Sequence, residues 1–130
     1  MGIQGQSDRG AAAVEFALVA MLLLTILFGI FEGGRLWMIQ GALSQAAREG
    51  AREMAIHDDQ AAANGVITSR AADLGVTITP NVTPSSCTPG VTVRAEASAD
   101  VGSLTGFIDP LFGADGTITL MGKAEMRCGG

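Results

Sequence analysis

"RGAAAVEFALVAMLLLTILFGIFEGGR", residues 9–35, is the stretch whose reading decides the architecture. Within it, residues 11–31 form a run of 21 in which only Glu15, Thr25 and Gly29 are not plainly apolar. At a rise of about 1.5 Å per residue the run covers about 30 Å, the thickness of a hydrocarbon core. It exceeds the roughly 7–15 residues of a cleavable signal's apolar region. A single membrane-spanning helix is the reading, because the rest of the chain offers too little to bury such a segment as a core. The carboxylate of Glu15, near the start of this run, is a group for which a bare anchor has no use.

Downstream, residues 34–57 contain no proline and are rich in Ala, Leu, Arg, Glu, Met and Gln, which are good helix formers. Leu36, Ile39, Leu43, Ala46, Gly50 and Met54 recur at three- and four-residue steps, one face of a helix. The spacing predicts a continuous rod over residues 11–57, about 70 Å long. The small residues Ala46, Ala47, Gly50 and Ala51 permit close approach by another element. The stripe reads as packing against the chain's own domain, from Leu43 onward against strands at 91–98 and 117–127. Glu49 and Arg52 have the spacing of a helical ion pair. Gly29 and Gly33 form a small-xxx-small pair, compatible either with close helix contact in lipid or with a bend.

After His57 the character of the sequence changes. Residues 58–75 read as a shorter helix, capped by Asp58 or Asp59 and ended by Gly75. Residues 76–79 have strand character, 80–90 form a turn-rich loop with three prolines, and 91–98 alternate as a strand does. Residues 99–116 read as a loop bearing Leu104, Phe107, Ile108, Leu111 and Phe112, and 117–127 as the last strand. The expected fold class is α+β: a long N-terminal transmembrane helix continuing into a small domain with a second helix and a roughly three-stranded antiparallel sheet.

Composition narrows the function classes. The chain has 130 residues, 48% hydrophobic and 16% charged, with a net charge of −5. That leaves no basic footprint for nucleic acid. With no Tyr and one Trp, a base-stacking surface is not expected either. His57 beside Asp58 and Asp59 reads as a surface helix end rather than a metal site. No CxxC, HExxH, nucleophile elbow or phosphate loop occurs, so neither catalytic residues nor a cofactor or metal is expected, and the chain does not read as an enzyme. Cys87 and Cys128 are expected to form a disulfide between the Pro-rich loop and the end of the last strand. A cysteine pair in so small a domain points to an oxidising compartment. The arginines at 35, 48 and 52 would bias the topology the other way; the cysteines are given the greater weight.

Returning to Glu15, "RG" followed by "AAAVEF" resembles the processing site of class-IV prepilins. Those have a short polar leader ending in Gly, then an apolar helix with Glu at its fifth mature position. An aromatic residue after that Glu, here Phe16, is typical of the Flp or Tad branch. "FGIFEGGRL", "ALSQAAREGAREMA" and the closing "GTITLMGKAEMRC" further resemble the TadE-like family of pilus-assembly proteins. The single Arg beside Asp8 makes a less basic leader than that pattern has.

The resemblance implies a minor pseudopilin of the Tad system, acting in pilus assembly and adhesion. With the leader it implies (1–10), the chain divides further into the transmembrane helix (11–31), its continuation (32–57) and an exported α+β domain (58–130). The resemblance implies cleavage between Gly10 and Ala11 by a prepilin peptidase. It also implies a location in the bacterial inner membrane, with the major Flp pilin and a sister pseudopilin as partners. Cleavage would create an ammonium at Ala11 near the Glu15 carboxylate, a group costly in an apolar bundle unless partnered. The alternative is an uncleaved single-pass envelope protein with an exported partner-binding domain.

Overall fold

The computed structural model describes residues 4–106, 109–111 and 116–129. Its dominant element is α1, Gln4–His57, an unbroken helix of 54 residues. It begins before residue 11, in a stretch with no proline to interrupt it, and it runs through Gly29, Gly33 and Gly34 without unwinding. The outer half carries its apolar side chains uncovered: Phe16, Leu18, Met21, Leu22 and Ile30 are all more than half exposed. None of the most apolar window is buried by the rest of the chain, and its length and composition are those of a membrane span.

The inner half of α1 supports a small α+β layer. α2 (Gln60–Arg70) follows after a sharp turn at Asp58, whose φ is 51°. Asp59 caps α2, its carboxylate accepting from the Ala62 amide at 2.9 Å. A short 3₁₀ turn, Ala72–Leu74, ends at Gly75 in the left-handed region. Three antiparallel strands complete the fold in spatial order β1-β2-β3: β1 Ile78–Thr83, β2 Thr92–Gly102 and β3 Thr117–Arg127.

Two strand limits differ from the sequence reading. β1 reaches through Pro80 to Thr83, into the stretch expected to be loop. A proline is tolerated there because β1 is an edge strand, with a neighbour on one side only. β2 continues to Gly102, since Ala99 and Val101 keep the inward alternation of Val93, Ala95 and Ala97 and are buried with them. Of the apolar residues in the following loop, Phe107, Ile108 and Phe112 lie outside the described residues, as does the side chain of Leu111.

The core lies between the inner face of this sheet, the inner half of α1 and α2. Leu43, Met54, Ile67, Val82, Val93 and Val101 are its largest fully buried side chains. Small residues on β2 and β3 let the helix come close. A Cβ at Gly122 would lie 2.3 Å from the carbonyl carbon and oxygen of Leu43, so α1 rests almost directly on the β3 backbone. The opposite face of the sheet is polar, with Arg94–Glu125 and Lys123–Glu96 pairs at 2.6 and 3.2 Å. Exposed pairs of this kind add little to stability.

Candidate functional site

The residues singled out at the N-terminal end all lie on the uncovered part of α1. Gly10, Ala11, Glu15 and Phe16 are all exposed on α1, and nothing in the fold approaches Gly10 within 4 Å of where a Cβ would sit. Ala11 and Glu15 are one turn apart, hence on the same face and about 6 Å apart along the axis. Phe16 is 75% exposed, so its ring is available to lipid or to another chain and contributes nothing to this chain's own core.

The packing stripe divides between two neighbours. Ile39, Leu43, Ala46, Gly50 and Met54 are buried. Gly50, expected against the strands, instead faces α2: a Cβ there would lie 2.5 Å from Ile67 Cγ1 and 3.3 Å from the Ala63 carbonyl oxygen. The stripe drifts around the helix as it climbs, and α2 folds back over its far end. The same fold-back changes an ion pair. Glu49 binds Arg70 of α2 at 2.7 Å, rather than Arg52 one turn along its own helix.

Cys87 and Cys128 are joined in a disulfide with Cα atoms 5.6 Å apart. The link is framed by main-chain bonds between Gly90 and Cys128 (3.2 Å) and between Cys128 and Val91 (2.8 Å). Asp58 accepts from the Cys87 amide, tying this loop to the end of α1. His57 Nδ1 donates to Glu53 Oε1 at 2.9 Å, and Asp59 is used as the α2 cap. These three neighbours thus point to separate tasks. Among the described residues no group of three or more His, Cys, Asp or Glu converges on a metal position.

Glu32 is the residue to which the sequence reading assigned no role. It is 1% exposed, the one buried ionisable side chain among the described residues. Its Oε1 accepts from Ser103 Oγ (2.7 Å), the Leu104 amide (2.8 Å), the Thr105 amide (3.1 Å) and Thr105 Oγ1 (3.2 Å). Charge-assisted bonds to a converging set of donors are what make such burial tolerable. The Ser103 hydroxyl, aided by the Thr105 and Leu104 amides, holds the carboxyl below its ordinary range against the upward push of burial. Oε2 is buried with no hydrogen-bond partner among the described residues. One turn on, Arg35 Nη1 donates to the Gly102 carbonyl at 3.0 Å. The end of β2 and the loop after it are therefore clamped to α1 where the apolar run ends. A signal for this was present: extending the stripe Leu36, Ile39, Leu43 back by one turn lands on Glu32.

Comparison with protein families gives a match of residues 10–52 to TadE-like protein. The matched segment begins at Gly10 and covers the apolar run, Glu32, Arg35 and most of the packing stripe. Searches of the curated proteins and of the solved structures each give no match.

Proposed function

We propose, from the match of residues 10–52 to the TadE-like family, that this chain is a membrane-anchored minor pseudopilin of a Tad pilus system. A prepilin peptidase cleaves it after Gly10, and it acts in assembly of an adhesive Flp-type pilus. The observation that carries the reading is the uncovered outer half of α1. A rod whose most apolar window is left unburied by its own fold needs another apolar environment, either lipid or the rods of other subunits. Glu15 then pairs with the ammonium freed at Ala11, in its own or a neighbouring subunit, and sets the register between rods. The domain beyond the membrane is exported, a placement that the disulfide supports. The prepilin peptidase, the major Flp pilin and a sister pseudopilin are its partners.

A second reading, an uncleaved single-pass envelope protein with an exported partner-binding domain, is favoured by one feature. α1 runs without interruption through Gly10, so no break in the backbone marks a cleavage site. N-terminal sequencing of membrane-extracted protein separates the two. A start at Ala11 supports the pseudopilin; an intact Met1 end supports the alternative. In cells, Gly10→Val should leave the leader attached. Glu15→Gln should be cleaved yet fail to support piliation, and normal piliation with Glu15→Gln would make that carboxylate incidental.

A further inference from the structure

The Glu32 clamp has a geometry that anchoring alone does not require. Taking the apolar run to end at residue 31, Glu32 is the first residue beyond it. In a membrane-spanning α1 its carboxylate therefore sits at the boundary of the hydrocarbon layer. The loop that buries it does not stay above that level. Thr105 lines an apolar cleft of about 410 Å³ together with Leu27, Phe28 and Phe31. Leu27 precedes Glu32 by five residues, about 7.5 Å along the axis. The loop thus reaches down beside the last turn of the span itself. Leu104, next to Thr105, is an aliphatic side chain left 60% exposed, while Phe28 and Phe31 are 43% and 62% exposed. Trp37, 84% exposed and about 9 Å beyond Phe31, stands where aromatic side chains meet headgroups.

From this we infer that the loop after β2, at Ser103–Gly106, is a second membrane-contact site, seated in the headgroup layer with Leu104 directed to lipid. The inference rests on the reading of residues 11–31 as a membrane span. The occupant is a bilayer surface because the loop's apolar cleft is continuous with the lipid-facing surface of α1. Any bilayer that covers Leu27 to Phe31 also meets Thr105, which lines the cleft with them, and Leu104 is its exposed neighbour in the chain. The clamp makes the contact rigid: four hydrogen bonds to one Glu32 oxygen, with Arg35 on Gly102, fix the loop to the helix that enters the membrane. A contact at two points sets the tilt of the exported domain on the membrane, which a lone helix leaves free.

The test uses the full chain with Trp37→Phe, reconstituted into phosphatidylcholine vesicles whose acyl chains carry bromine at a shallow or a deep position. Single tryptophans are placed by Leu104→Trp, Met21→Trp or Ile56→Trp. The Leu104→Trp chain is expected to emit at shorter wavelength than the Ile56→Trp chain and to be quenched at least twofold more by shallow than by deep bromine. Met21→Trp should show the reverse preference, and Ile56→Trp should escape both. Adding Glu32→Ala should abolish quenching at Leu104→Trp and leave Met21→Trp unchanged. If Leu104→Trp is unquenched while Met21→Trp is quenched, the span stands and the loop contact is overturned; a loop that meets only other protein chains gives this result. If Met21→Trp is itself unquenched, the membrane span fails and the contact with it. Persistent Leu104→Trp quenching in the Glu32→Ala chain overturns the clamp as the cause.

Discussion

Gly122→Ala is the smallest change that tests how the domain is held to its helix. The new Cβ would lie 2.3 Å from the carbonyl carbon and oxygen of Leu43 and 2.4 Å from the Ser44 amide nitrogen. Ordinary contact begins near 3.5 Å, so α1 and β3 must separate by roughly 1 Å. The atoms met are backbone in mid-helix, and no rotamer change relieves the clash. A gap of roughly 0.5–1 Å forfeits about a quarter to a half of each facing dispersion well. Leu43 and Ala47, one turn apart on α1 and both fully buried, lose it together. Overpacking of this kind costs about 3 kcal/mol. Replacing a strand glycine by alanine returns roughly 0.5–1 kcal/mol. The net is a loss of about 2 kcal/mol, or a fall in Tm of roughly 8–16 °C for a domain of this size. Thermal unfolding of the full chain in detergent, followed by circular dichroism, reads it. Gly65→Ala in α2, where nothing lies within 4 Å of the added carbon, should raise Tm instead. A Gly122→Ala chain that melts at or above the parent would refute the close contact between helix and strand.

Gly50→Leu should lower stability by about 1–3 kcal/mol through collision with Ile67. Part of that loss should return in Gly50→Leu/Ile67→Ala and none in Gly50→Leu/Val93→Ala, as a double-mutant cycle of melting curves will show. Reducing Cys87–Cys128, which closes a 41-residue separation, should cost about 4 kcal/mol in the chain-entropy model. Parallel melts with and without reductant measure it. Glu32 has a folded-state pKa below its ordinary value of 4.5. Its contribution to stability is therefore fully present above that value and lost as pH falls through the lowered one. Between pH 6 and pH 3 the Glu32→Gln chain should lose less stability than the parent, and an equal loss in both would show that this carboxylate is not coupled to folding.

Much of the architecture was legible because it rests on local or periodic signals. The length of the apolar run at 11–31 needs no partner to be read, since the solvent it demands is set by composition. The stripe from Leu36 to Met54, the candidate caps at Asp58 and Asp59 and the alternation in β2 and β3 are likewise properties of single segments. The motif around Gly10, Glu15 and Phe16 lies in a part of the chain that folds against nothing, so the sequence is almost all there is to read. The tertiary structure decided what depends on a second segment: which neighbour takes Gly50, whether Glu49 pairs along its helix or across to Arg70, and how far β1 runs past Pro80. It also decided Glu32 and Gly122. A carboxylate one residue beyond an apolar run reads as an ordinary surface charge until a loop some seventy residues later supplies its donors. A glycine in a strand reads as a weakness until the helix it admits is in place. Sequence periodicity reports which face of an element is apolar, and only the packed chain reports what that face meets.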